Sequence, residues 1–507
     1  VTGVETKDFS LGGRGSYAFT QNIKGLVELS TTTRKGNTGP DQRLSKATLA
    51  GALGATSLAS LAPMTAHAQS GDYRALVCLF LYGGNDGFNM VVPRDTTRHA
   101  EYAAIRGRLA LPRTGLVPLG ADYGLHPAMS ALAPVWASGD LAPVFNVGPL
   151  AVPLTKTEYR SQSRPRPDNL YSHSDQQLLW EAAGPRVISR TGWGGRAAAS
   201  VGNGGPVISV GGNGRFGLSE FDVPLVLPGP GGVFGLEGLT GTWAPTVARR
   251  DALNALYANS HNNVLLNSFA SQQRGALEMA TRLGSVVAVQ PNSSNGPAVV
   301  PGLALINQAF LPITTSNRVN TSLGRQLYQI AKLVAARTTV QGTRRIFFAQ
   351  QGGYDTHGDQ VGATATEGQH ARLLQQLADA MACFYNAMNA IGMGNSVTLF
   401  TQSDFGRTFK PNNSSGTDHA WGNNHLVMGG AVSGGAAYGT YPALVLGGPN
   451  DVGQNSWELH GRWIPTSSVD QYAATLLRWF GASEGQIDGV LPNLVNFGSS
   501  RSLGFLG

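Results

Sequence analysis

Acidic and imidazole side chains gather in three polar clusters, each directly behind an apolar, β-like run. GGNDGFN follows ALVCLFLY (75–82). QGGYDTHGDQ follows RIFFAQ (345–350). QSDFGR, with GTDHAWGNNH shortly after it, follows SVTLFT (396–401). Carboxylates and imidazoles drawn together from distant stretches are the donors a divalent cation takes. Asp355 and His357 form the best pair, because residues i and i+2 of an extended chain project to the same side and can reach one ion. Asp86 and Asp404 close two further runs, where an aspartate can equally shape a turn or cap a helix. His419, behind a loop rich in Gly, Ser and Asn, is the better late ligand; His425 opens an apolar run and reads as structural.

Three other side chains could handle an anionic substrate. Arg407 presents a planar fork that suits a bidentate anion, or it neutralises Asp404. Ser172 and His173 open a helical pattern, SHSDQQLLWEAA. A hydroxyl there faces unpaired amides and the positive end of the helix dipole, which lowers its pKa and stabilises an anionic adduct. Ser172 or Ser174 can equally serve as the N-cap. No G-x-S-x-G elbow surrounds Ser172, which disfavours a Ser-His-Asp hydrolase. Gly212, Gly214 and Gly217 match G-x-G-x-x-G, but the Pro/Gly-rich chain that follows cannot start the helix a dinucleotide site needs.

The elements that must carry these groups alternate. Apolar runs at 75–82, 141–147, 345–350 and 396–401 read as buried strands, with further strands near 425–428 and 443–446. Helical periodicity covers 101–109, 127–138, 175–183, 247–258, 264–286, 323–336, 366–390 and 468–480. Strands alternating with helices predict a doubly wound, mostly parallel α/β sheet covered on both faces, whose carboxyl edge collects the ligands. Residues 201–320 change character, from Gly/Pro-rich to helical, and are expected to be an insertion or lid in a domain spanning 69–507.

Composition narrows the class. The 507 residues carry 37 Lys+Arg against 30 Asp+Glu, a mild excess of 7 with no basic run, which argues against nucleic acid as a partner. Two cysteines, Cys78 and Cys383, are too few for a thiolate zinc site and read as buried thiols. Residues 1–68 are expected to be a disordered leader and export signal. Residues 44–68 have an apolar Ala/Gly/Leu-rich core after scattered positive charges and end in Ala66-His67-Ala68, a small-x-small cleavage pattern. The chain is therefore expected to be exported, to the periplasm or the medium. No later apolar run reaches 18 residues, so no span is expected in the mature part.

Several strings stand in a familiar order: LVCLFLYGGNDGFNMVVP, YSHSDQQLLWE, TGWGGR, GGYDTHGDQ, SDFGR…GTDHAWGNNHLVMGGAVSGG and GRWIPTSSVDQYAATLLRWFG. Together they resemble the exported bacterial family called DUF1501, over nearly all of residues 70–500. That family is grouped with the alkaline phosphatase-like superfamily, which includes phosphatases, sulfatases and phosphoglycerate mutases. The resemblance implies that Asp86, Asp355, His357, Asp404 and His419 hold metal, and that Ser172 takes the nucleophile's place. Phe405 stands where the superfamily's S-D-H-G string has a ligating His, and the Asp355–His357 spacing is shorter than the usual four residues. One metal, an altered second site or none thus remain open.

The expected function is a secreted metal-dependent hydrolase of phosphate or sulfate esters, small or polymer-borne. Ser172, His173 and Arg407 would act on the anion beside zinc, manganese or magnesium. The alternative is a non-catalytic exported binding protein that keeps the fold.

Overall fold

Eight consecutive residues with no side chain exposed beyond the first set the frame. Arg74–Leu81 (β1) is flanked in parallel on both sides, by Arg344–Gln351 and by Val397–Ser403. Such a strand must be apolar throughout, because helices cover both of its faces. The structure is a computed structural model and describes residues 72–201, 205–220, 222–235, 238–239, 241–259 and 263–507. The expected leader and export signal at 1–68 lies outside the described residues.

The remaining strands of the main sheet are β2 (Leu141–Gly148), β3 (Ile208–Ser209), β4 (Leu225–Val226), β5 (Arg344–Gln351), β6 (Val397–Ser403), β7 (Asn423–Met428), β8 (Tyr438–Gly439) and β9 (Ser467–Ser468). Their order is β8-β2-β7-β6-β1-β5-β3-β4, with β9 also on β2. All run one way except β7, which is antiparallel to both β6 and β2. A small three-stranded sheet (91–93, 117–119, 123–125) stands apart.

The longer helices are α1 (Thr96–Arg106), α2 (His173–Ala182), α3 (Trp193–Val201), α4 (Ala244–Ala258), α5 (Val264–Ala288), α6 (Leu303–Phe310), α7 (Ser322–Ala335), α8 (Gln369–Ala390), α9 (Val469–Phe480) and α10 (Glu484–Val490). Strand alternation sorts the core into two layers. Ala75, Val77, Leu79 and Leu81 pack under α5–α8, while Leu76, Cys78 and Phe80 pack under α2, α3, α9 and α10. Both cysteines are buried free thiols, as their surroundings led us to expect. Helix α9 begins with a reciprocal Ser468–Gln471 capping box, a device that stabilises a helix start by about 1 kcal/mol.

Two expectations change. The strand expected near 443–446 is irregular chain; the neighbouring strand is Tyr438–Gly439. Of the described residues in 201–320, two short pieces pair into the main sheet, so those pieces are not laid over it. They are β3 and β4, and Met279, Leu283, Val286 and Val287 of α5 join the core beneath β1. Among the described residues no helix is long and apolar enough to cross a membrane.

Candidate metal centre

The parallel strands β1, β5 and β6 deliver their following loops to one edge, and antiparallel β7 starts there. Close approach of those loops depends on two glycines. Gly83 has φ +108°, and a Cβ on it would meet the Asp355 amide nitrogen at 2.5 Å. Gly84 has φ +76°, and a Cβ on it would meet the Phe405 ring at 2.4 Å. A side chain at either position would force the β1 loop away from the loops of β5 and β6.

Four groups converge in the space between these loops and the start of α2. His173, Asp355, His357 and His419 each bring one donor atom to within 4.8 Å of all the others. Asp355 Oδ1 is the hub, 3.2 Å from His173 Nε2, 3.1 Å from His357 Nε2 and 3.6 Å from His419 Nε2. The two last imidazoles face each other, Nε2 to Nε2, at 2.8 Å.

Each imidazole is fixed from behind through its other nitrogen. His173 Nδ1 lies 2.7 Å from Asp404 Oδ2, His357 Nδ1 lies 2.8 Å from Asp418 Oδ1, and His419 Nδ1 lies 2.7 Å from the Tyr171 carbonyl oxygen. A carboxylate or carbonyl can only accept, so each Nδ1 donates, and in the neutral rings each Nε2 keeps a lone pair. His173 Nε2 is buried, and among the described residues the Asp355 carboxylate is the polar group it faces. Three lone pairs and a carboxylate oxygen around one point fit a cation, and an oxygen or carboxylate behind each imidazole is how ligating histidines are held. With three nitrogens, one oxygen and no thiolate, the set suits zinc or manganese better than calcium.

Charge around the site is arranged to keep the carboxylates ionised. Burial pushes the Asp355 carboxyl up, but the Arg407 guanidinium, 3.0 Å away, and His173 outweigh it and hold it below the usual range. Asp418 is likewise held low, against burial, by hydrogen bonds from Asn412 and His357. Hydrogen bonding to Asp404 raises His173, whereas burial and neighbouring positive charge lower His419. Phe405, fully buried, packs its ring 4.6 Å from that of His173 and 4.7 Å from that of His419. It forms a wall of the site where the string resemblance has a ligand.

Of the five ligands expected from the sequence, the structure brings Asp355, His357 and His419 together, and it places Asp86 and Asp404 outside that group. Asp86 is not among the converging donors. Its carboxylate is buried against Arg106 and accepts from Gln360 Nε2 at 2.6 Å, so its oxygens are already used inside the protein. Asp404 stands one layer back: Oδ2 accepts from the Gly83 amide at 3.2 Å and faces His173. In turn His173, expected to bind the anion, is a member of the cluster. Arg407 neutralises Asp355 rather than Asp404, and its Nη2 is buried without a hydrogen-bond partner among the described residues. Ser172 occupies the N-cap position of α2 without capping it; its Oγ lies 3.2 Å from Ser174 Oγ. Asp418 stood in the GTDHAWGNNH cluster without an anchoring role, and the Tyr171 carbonyl was missed. The adjacency Asp418-His419 was the only available hint for the first, and a main-chain carbonyl leaves no mark in a sequence.

Comparison with known families bears on the second half of this site. Residues 249–455 match the family described as protein of unknown function (DUF1501). The DUF1501 match takes in Asp355, His357, Asp404, Asp418 and His419, while Asp86, Tyr171 and His173 precede it. No curated protein matches the chain. Among solved structures, the crystal structure of Ps i-CgsB in complex with k-i-k-neocarrahexaose is similar at 10% identity with a TM-score of 0.31, over 84% of this chain and 77% of that one. A likeness that distant bears on neither substrate nor mechanism.

Proposed function

We propose that the chain is a metal-dependent hydrolase of phosphate or sulfate esters, organised around one divalent cation. The observation that carries the reading is the convergence of three Nδ1-anchored imidazoles and Asp355 beside a buried arginine. A cation held there supplies Lewis acidity, polarising an ester oxygen and making a nucleophile available near neutral pH.

The chain's own residues divide the remaining work. Asp355, His173, His357 and His419 hold the ion. Asp404, Asp418 and the Tyr171 carbonyl fix the rings so that little rearrangement accompanies binding. Arg407, buried and paired through Nη1 with Asp355, is the positive charge we assign to an anionic substrate group at the site. Ser172, next to the ligand His173 and at the amino end of α2, is the side chain we assign to attack or to substrate binding. The reading extends to the alkaline phosphatase-like superfamily and to export with cleavage after Ala68.

A second reading draws on Phe405. An apolar ring packs against two of the imidazoles, where the resemblance has a ligating group, which suits an exported binding protein that keeps the fold without turnover. Metal analysis of the purified protein, together with turnover of aryl phosphate and aryl sulfate esters, separates the two. Stoichiometric metal and turnover that both vanish in Asp355→Ala support the hydrolase. A folded chain without turnover, metal-free and inert, supports the binding protein and overturns the hydrolase.

A further inference from the structure

The backbone at Tyr171 is unusual for a residue with a side chain: φ is +74°, in the left-handed region that favours glycine. Such conformations persist only where surrounding contacts enforce them, and they gather at functional sites. Here the enforcing contacts are visible. The Arg462 guanidinium lies over the Tyr171 ring, 4.8 Å from its centroid. The Tyr171 hydroxyl lies 3.1 Å from that of Tyr159. The left-handed turn directs the Tyr171 carbonyl to His419 Nδ1 at 2.7 Å.

Arg462 grips the other partner as well. Its Nε donates to the His419 carbonyl at 2.9 Å, and its own amide donates to Asp451 Oδ1 at 3.2 Å, which ties this clamp to the 451–463 bridge. One guanidinium therefore holds both the main chain of His419 and the ring of the residue whose carbonyl accepts from His419 Nδ1. An arginine is suited to both contacts at once, since its plane stacks on an aromatic face while its edge donates. Of the three imidazoles, His419 alone is oriented by a main-chain carbonyl rather than a carboxylate, so its orientation depends on the conformation of a strained residue.

We infer that Arg462 and Tyr171 form a strap that presets His419 in the Nδ1–H tautomer, with Nε2 facing His357 and Asp355, before any ion binds. Arg462 is a positioning residue: it acts on the metal centre only through Tyr171 and His419. This deepens the metal-centre reading and rests on it for its consequence, though not for the tautomer itself.

The test has two arms. In metal-free protein with histidines selectively labelled with 15N, long-range correlation spectra assign the tautomer of each ring; His357→Gln and His419→Gln identify the signals. The parent is expected to show His419 with its proton on Nδ1, and Arg462→Met is expected to lose that single-tautomer signature. In the second arm, Zn2+ affinity is measured by chelator competition and Co2+ is used as a spectroscopic probe. Arg462→Met and Tyr171→Gly are each expected to weaken Zn2+ binding about 10- to 100-fold and to alter the Co2+ absorption envelope, while Tyr171→Phe, which keeps the stacked ring, stays near the parent.

Tyr171→Gly is the discriminating variant. Glycine relieves the left-handed strain, so a role confined to stability predicts unchanged or tighter binding, the opposite of the strap. Zn2+ affinities of Arg462→Met and Tyr171→Gly within twofold of the parent, or an Nε2–H tautomer at His419 in the metal-free parent, overturn the proposal. A parent that shows the Nδ1–H tautomer yet binds neither Zn2+ nor Co2+ overturns the metal centre and the strap's role in it, and leaves the tautomer assignment standing.

Discussion

His357 and His419 point their Nε2 atoms at each other across 2.8 Å, and the Nδ1 of each is committed to an oxygen behind it. Two lone pairs at that separation repel unless positive charge lies between them. A shared proton or a cation meets the need, and the nearby Asp355 oxygen, with His173 Nε2 3.2 Å from it, favours the cation. The pair therefore sets the terms for the experiments that follow.

Binding of Zn2+ or Mn2+ should stabilise the fold, because the four donors come from three separate stretches of chain and meet only when it is folded. At a free concentration of about 100 Kd, linkage gives about 2.7 kcal/mol. For a chain of this size that is a rise in Tm of roughly 3 °C. Differential scanning calorimetry with and without EDTA reads the shift. No shift in the parent, or the same shift in His357→Ala, sinks the metal centre.

Asp404 and Asp418 should separate affinity from stability. Both anchor an imidazole, but Asp404 is buried and also satisfies the Gly83 amide, whereas the Asp418 side chain is 40% exposed. Asp404→Ala is expected to lower metal affinity about 10- to 100-fold and to cost about 1–3 kcal/mol of stability from the stranded amide. Asp418→Ala should lose similar affinity with little change in the denaturation midpoint. Equal stability losses in the two variants would contradict this division.

Asp86 should matter to the fold and not to the ion. Removing it leaves the fully buried Arg106 without its carboxylate, a change that costs about 3–5 kcal/mol. Asp86→Ala is thus expected to shift urea unfolding strongly while metal stoichiometry, measured on the protein that remains folded, stays at the parental value. Loss of the metal with stability intact would restore Asp86 as a ligand.

Asp470 gives a pH signature away from the site. Burial pushes its carboxyl up from 3.8 to about 7, against a hydrogen bond from Asn493. Between those two values the folded chain keeps a proton that the unfolded chain has released. The stability this group contributes is therefore full below about pH 3.8 and is lost as pH rises through 7, at up to about 1.4 kcal/mol per pH unit for one proton. Asp470→Asn should remove that slope, leaving the variant more stable than the parent at pH 8. Urea melts from pH 5 to 8 on both proteins check it; parallel curves refute it.

Much of this architecture was legible in the order of residues. A strand covered on both faces has to be apolar along its whole length, and β1, β2, β5 and β6 announce themselves that way; α9 shows its buried stripe with 3.6-residue spacing. The local pairing of Asp355 with His357 also needed only the chain's own geometry. What the sequence could not assign was which carboxylate meets a cation and which meets an arginine. Asp86 and Asp404 follow strands just as Asp355 does, yet Arg106 folds back from α1 to claim the first and His173 comes from α2 to claim the second. Those partners are separated from their aspartates by 20 and 231 residues. Short-range pattern fixes which face of an element is buried, because periodicity is local. The roles of Asp86, Asp404 and the Tyr171 carbonyl were decided only by packing, because a charge takes its role from whichever opposite charge the tertiary fold brings within reach.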